Sequence, residues 1–314
     1  VVMFASILEV LILIGLAVSS TFIFIVGLFI TRLILIMIIS VSTDIFLESR
    51  TSDNETGSVR GTFLTASNVA WVISPMAAGF LLSNGNFWKI YIIASILMTL
   101  STLLIFRNFR NFKDPEYSHV PFWETLKAVW HKKNIYKIFM TNLLLRFFYS
   151  WMIIYTPIYL HKYIGFDWSE LGLLFTIILI PFVILEIPLG KLADSKLGEK
   201  EILSIGFIVL AIATASLSFI TSSSFAIWAI VLFITRIGAS MVEIMSESYF
   251  FKQIDGTNTN ILGFFRNTRP LAYTIAPLAA SVFLFIFDFK YLFLILGVIM
   301  SLGLFYSLTI KDTK

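Results

Sequence analysis

Charged side chains are scarce in this sequence, and several of them interrupt long apolar runs: Arg32, Arg146, Arg236, Arg266 and Arg269, together with Glu9 and Glu243. An ionisable group at membrane depth is costly, and it is retained where it binds a ligand, relays a proton or pairs with another charge. Asn142, Arg146 and Tyr149 recur at i, i+4 and i+7 and share one helix face, as do Arg236, Ser240, Glu243 and Glu247 on another. At ~1.5 Å of rise per residue, Arg146 lies roughly 13 Å, Glu243 roughly 9 Å and Arg236 roughly 20 Å from the same end of their helices. Arg146 and Glu243 are therefore within reach of each other, either as a structural salt bridge or as a substrate or proton site. Glu247 is near enough to the surface to be solvated. Glu9 precedes a turn at 19–21 and stands at the depth of Arg32, which makes an ion pair the expected arrangement. A Glu9 that carries protons is the alternative.

Such groups need elements to hold them. The chain is 58% hydrophobic and 13% charged, against roughly half apolar and a quarter charged in soluble domains, and it contains 32 phenylalanines. On a water-soluble fold this would leave large sticky patches, so a polytopic membrane protein is expected. Apolar windows of the necessary length, about 20 residues, lie near 2–19, 22–46, 61–83, 87–106, 137–160, 169–189, 201–220, 224–249, 261–286 and 289–309. That is an all-α fold with ten transmembrane helices, four before a long polar connector and six after it. With no cysteine there are no disulfides or thiolate chemistry, and His119, His131 and His161 fall in or beside loops with no H-E-x-x-H pair. No metal or cofactor and no nucleic-acid partner is expected, and residues 1–20 do not read as a signal peptide.

Lysine and arginine counts orient the chain. The long polar segments and the C-terminus hold fifteen of these residues, whereas the short connectors hold only Lys89, Lys162 and Lys290. Positive loops stay inside, so the long loops and the C-terminus are expected in the cytoplasm, and the plasma membrane is the expected location. Within the connector 107–136, Phe122, Trp123, Leu126, Val129 and Trp130 share a helical face opposite Lys127, Lys132 and Lys133. That pattern suits a helix lying on the anionic inner leaflet, with docking to a partner as the alternative.

The sequence also repeats. Leu28-Phe29-Ile30-Thr31-Arg32 returns as Leu232-Phe233-Ile234-Thr235-Arg236, and Gly61, Pro75 and Ala78 return as Gly263, Pro277 and Ala280. One duplication accounts for this. Val1 then corresponds to Ile205, which implies a twelve-helix parent whose first two helices and first hinge loop are missing here. The domains follow as 1–106, the last four helices of a first bundle; 107–136, the connector; and 137–314, a complete six-helix bundle, with the two repeats running parallel.

Between two apolar runs, Glu186 to Leu203 reads EIPLGKLADSKLGEKEIL. Irregular backbone of this kind must sit outside the lipid. It resembles the signature loop of the major facilitator superfamily, G-x-L-A-D-R-x-G-R-K, through Gly190, Leu192, Ala193, Asp194, Gly198 and Lys200. Ser195 stands where the family has a basic residue, and one extra residue separates Asp194 from Gly198. The resemblance implies a facilitator fold in which this loop, with Asp194 as latch and Lys196 beside it, helps to gate. Arg32 and Arg236 resemble the family's fourth-helix arginine, although the Q-G that should follow is Leu35-Ile36 and Ala239-Ser240. Ser74-Pro75-Met76-Ala77-Ala78-Gly79 resembles the fifth-helix exporter motif G-P-x-x-G-G, and its repeat mate contains Pro277. Proline with small neighbours suits a helix that bends or rocks.

The resemblance implies a monomeric secondary active transporter working by alternating access, with the bilayer, a small-molecule substrate and protons as its partners. The proline motif favours efflux of amphipathic compounds. Three deep arginines against one deep glutamate point instead to uptake of an organic anion or phosphate ester. A receptor on the same fold is the alternative from another class. The sequence offers no Ser/His pair, ligand cluster or phosphate-cradling loop for an enzyme.

Overall fold

The computed structural model describes residues 1–50, 56–82, 85–109, 122–193, 197–253 and 259–311. The chain divides into two compact units, Val1–Ser118 and His119–Lys314. The first contains α1 (Val2–Val18), α2 (Phe22–Arg50), α3 (Thr56–Leu82) and α4 (Trp88–Phe109). The second contains α5 (Phe122–His131), α6 (Lys133–Tyr159), α7 (Trp168–Leu192), α8 (Glu199–Ser216), α9 (Phe225–Gln253), α10 (Thr259–Arg266), α11 (Thr268–Ile286) and α12 (Tyr291–Thr309).

Among the described residues, eight helices are long and apolar enough to cross a membrane, while Val2–Val18 and Val69–Leu82 are apolar but shorter. The Val69–Leu82 stretch is the C-terminal part of α3, which as a whole runs Thr56–Leu82. Phe24, Leu33, Leu104, Ile212, Phe285 and Phe305 all point outward. Facing water they would drive aggregation; facing lipid tails they cost nothing.

Within the first unit α1 packs on α4 and α2, around Ala5, Ile12, Leu16 and Leu35. Within the second, α8 and α9 meet at glycines. A Cβ on Gly238 would stand 2.7 Å from the Leu210 backbone nitrogen, and one on Gly297 of α12 2.7 Å from the Ala211 carbonyl oxygen. These near-touching backbones hold α9 at a fixed height beside α8, and α9 also packs on α6 and α7. Phe148, Trp151, Phe207, Trp228 and Phe293 fill the space between them.

One expected span is interrupted. The window 261–286 reads as a single helix, yet the chain breaks at Asn267 (φ −70°, ψ −8°) into α10 and α11. Pro270 explains this: it has no N–H for the Arg266 carbonyl, and its ring crowds the same group. The Asn267 N–H is shared between the carbonyls of Gly263 and Phe264, 3.2 Å from each. Phe265 of α10 then stacks on Phe250 of α9 at 3.8 Å.

The entry to α7 is fastened by a capping box, in which the Asp167 carboxylate accepts the Glu170 N–H at 2.8 Å and the Ser169 hydroxyl at 2.6 Å. The Ser169 hydroxyl, then the Glu170 N–H, hold the Asp167 carboxyl below its ordinary value. The connector helix α5 belongs to the second unit, with Val129 buried and Trp123 and Trp130 exposed.

Candidate functional site

In the second unit, α6 and α9 bring together the charges that spacing placed at comparable depth. Arg146 Nη1 lies 2.9 Å from Glu243 Oε1, and its Nη2 lies 3.6 Å from Glu247. The Tyr149 hydroxyl donates to Glu243 Oε2 at 2.7 Å. Both Glu243 oxygens are thus engaged, one by a guanidinium and one by a phenol. Tyr149 sits one turn beyond Arg146, and the Arg146 guanidinium lies 5.7 Å from its ring centroid. Both side chains of this pair are partly buried, at 18% and 23% exposure, so removing one partner leaves the other largely uncompensated but not fully desolvated.

Arg236, two turns earlier on α9, is only 4% exposed, and its Nε has no hydrogen-bond partner. Its guanidinium lies 5.3 Å from the Phe148 ring centroid and 5.8 Å from that of Tyr149. Among the described residues it makes no ion pair. A desolvated cation–π contact contributes about 2 kcal/mol, whereas burying an unpaired ion costs several kcal/mol. The aromatic faces therefore offset only part of the penalty. On α11 the Arg269 guanidinium lies 5.7 Å from the Tyr273 ring centroid.

The first unit handles the related arginine differently. Arg32 Nε donates to Glu9 Oε1 at 2.9 Å across α1 and α2. Glu9 is buried, with Oε2 lacking a hydrogen-bond partner, and one turn away the buried Ser6 hydroxyl lacks one too.

Two residues of the expected polar stripes do not join these clusters. Asn142 is buried and donates to Thr268 Oγ1 at 3.2 Å, tying α6 to the start of α11. Ser240 is fully buried, and its hydroxyl donates to the Ile237 carbonyl of its own helix. Pro75 and Pro277 both lie inside continuous helices, Gly79 is buried, and the Tyr155 hydroxyl donates to the Pro277 carbonyl. Of the hinge motif, Gly190 lies in the last turn of α7, where a Cβ would meet nothing within 4 Å. Gly198 (φ +79°) caps α8 in a conformation that favours glycine, and Lys200 lies in the first turn of α8. Asp194 and Lys196, and with them the latch, lie outside the described residues.

Sequence reasoning missed the partners that come from other helices. Phe148 under Arg236 gave no signal, since an aromatic in an apolar helix reads as core. Glu199, first residue of α8, is fully buried and pairs with Lys252 while accepting from Ser248 at 3.1 Å. The signal available was an acid in a first helical turn, a position the helix dipole favours.

Comparison with known proteins places the fold. The profile of the Major Facilitator Superfamily matches residues 1–265 and 162–314. No curated protein matches the chain significantly. Among solved structures, it is similar to a bacterial homologue of the human lysosomal transporter Spinster, captured inward-facing and unoccupied. The identity is 12% and the TM-score 0.71, over 98% of this chain and 78% of the other. It is also similar to a bacterial metal transporter at 16% identity and TM-score 0.66, over 98% and 81% of the two chains.

Proposed function

Because the chain belongs to the major facilitator superfamily, we propose that it is a secondary active transporter that moves a small molecule across the membrane by alternating access, driven by protons in the direction of efflux. The observation that carries this reading is the Arg146–Glu243–Tyr149 network. A carboxylate in an apolar span, held by one cation and one hydroxyl, is a two-position device. Ionised, it binds α6 to α9; protonated, it no longer neutralises Arg146, and the contact weakens. A proton taken on one side of the membrane and released on the other would thus bias two conformations of the same helices. Glu243 is the carrier in this scheme, faced by Arg146, Tyr149, Glu247 and, at longer range, Arg236. Glu9 is a second candidate in the first unit.

Efflux is supported by the Ser74-Pro75 motif with its small neighbours, and a plasma-membrane location with long loops in the cytoplasm by the lysine and arginine asymmetry. The protein works as a monomer, with residues 1–106 and 137–314 as its two bundles, 107–136 connecting them, and Asp194 gating.

Everted vesicles energised to an inside-acid pH gradient test this directly, using amphipathic dyes of each charge sign. At least one dye should accumulate, an uncoupler should abolish accumulation, and Glu243→Gln should lower the rate about 100-fold, in line with loss of a charge-assisted contact. Accumulation that ignores the uncoupler would rule out proton coupling.

A further inference from the structure

We infer that Arg236 is the docking point for an acidic group on the transported molecule, so that the cargo is a small amphipathic organic anion; the inference rests on the transport reading above. The argument begins with the duplication. Arg32 and Arg236 occupy the same place in the repeated Leu-Phe-Ile-Thr-Arg segment. In the first unit the acid that neutralises the arginine comes from the preceding helix, as Glu9 of α1. The corresponding stretch of α8 reads Ala211-Ile212-Ala213, and α8 carries no acid beyond Glu201. Gly206 and Leu210 touch α9 at Gly238, and helical periodicity puts Ala213 on that same side. The counter-ion present in one copy is an alanine methyl in the other.

Among the described residues of the second unit, no other acid replaces it. Glu243 has Oε1 on Arg146 and Oε2 on the Tyr149 hydroxyl. Arg236 keeps an unpartnered Nε while 4% exposed, resting on the faces of Phe148 and Tyr149. A buried guanidinium with free N–H groups has the shape that receives a carboxylate, sulfonate or phosphate through two parallel hydrogen bonds. The rings beside it suit an apolar or aryl body on the same molecule. Anion and aromatic surface together describe an amphipathic acid.

The test uses the full chain in energised everted vesicles, with fluorescein as anionic probe and ethidium as cationic probe. Fluorescein should accumulate and ethidium should not. Arg236→Gln should lower the fluorescein rate about 100-fold, and Arg236→Lys about 10-fold with most of the change in KM, since the lysine keeps the charge but not the fork. Ala213→Glu supplies the missing acid from within, and should cut fluorescein transport at least about 10-fold while raising the melting temperature in detergent. Retained fluorescein transport in Arg236→Gln or in Ala213→Glu overturns the inference. So does a wild type that moves ethidium and leaves fluorescein, although the transport reading then survives. If neither probe moves and the pH gradient drives nothing, the transport reading itself falls.

Discussion

Arg32 and Arg236 share a local sequence and a place on their helices, yet they are held in opposite ways. Arg32 has a carboxylate partner from α1, at 2.9 Å, and its side chain is 31% exposed. Arg236 has no carboxylate partner among the described residues, stands on two aromatic rings and is nearly inaccessible. Duplication copied the cation; the surroundings diverged. The first unit shows what a resting, internally neutralised arginine looks like, which makes the un-neutralised one informative. A buried charge left uncompensated is destabilising, so its retention calls for a compensating use.

The comparison can be broken at several points. The largest expected stability effect is at the neutralised arginine. Arg32→Leu should destabilise the protein by about 3 kcal/mol by leaving Glu9 buried and unpaired. The double variant with Glu9→Leu should recover most of that loss, read as melting temperature in detergent. If the double is as unstable as the single, the pair is not what neutralises Glu9.

Packing separates the two units next. Gly238→Ala forces a Cβ against the Leu210 and Gly206 backbones and should cost about 1–3 kcal/mol. Gly27→Ala, where a Cβ meets nothing within 4 Å, should be neutral or slightly stabilising. Equal melting temperatures for the two variants would show that α8 and α9 are not held by close backbone approach.

The smallest expected effect lies outside the lipid. Asp167→Ala removes the α7 cap and should cost about 1 kcal/mol. Because the folded carboxyl is held below its ordinary value by Ser169 and Glu170, its stabilisation is present above the unfolded pKa. It fades as pH falls through the folded one. Wild type and Asp167→Ala should therefore converge in acid, and a constant gap down to the lowest pH tolerated would exclude the linkage.

Much of the architecture was legible in one dimension. Apolar runs of bilayer length give helices whatever their neighbours, because backbone groups in lipid must bond within the segment. Depth follows from rise per residue, and so Glu9 opposite Arg32 and Arg146 opposite Glu243 could be paired before any fold was known. The break at Asn267 was legible in principle, through Pro270, but was obscured by the apolar run around it.

The sequence by itself determined the number of apolar helices, their likeness to the facilitator signature, the duplication and the height of each charge along its helix. Only the tertiary structure decided which further groups join those charges, and that Arg236 has no acid beside it among the described residues. It placed the Tyr149 hydroxyl on Glu243, Phe148 beneath Arg236, Lys252 on Glu199, and Asn142 on Thr268 rather than beside Arg146. The reason is geometric. Helical periodicity records height and face along one axis, whereas the partner of a side chain depends on how neighbouring helices rotate and approach, and packing alone sets that.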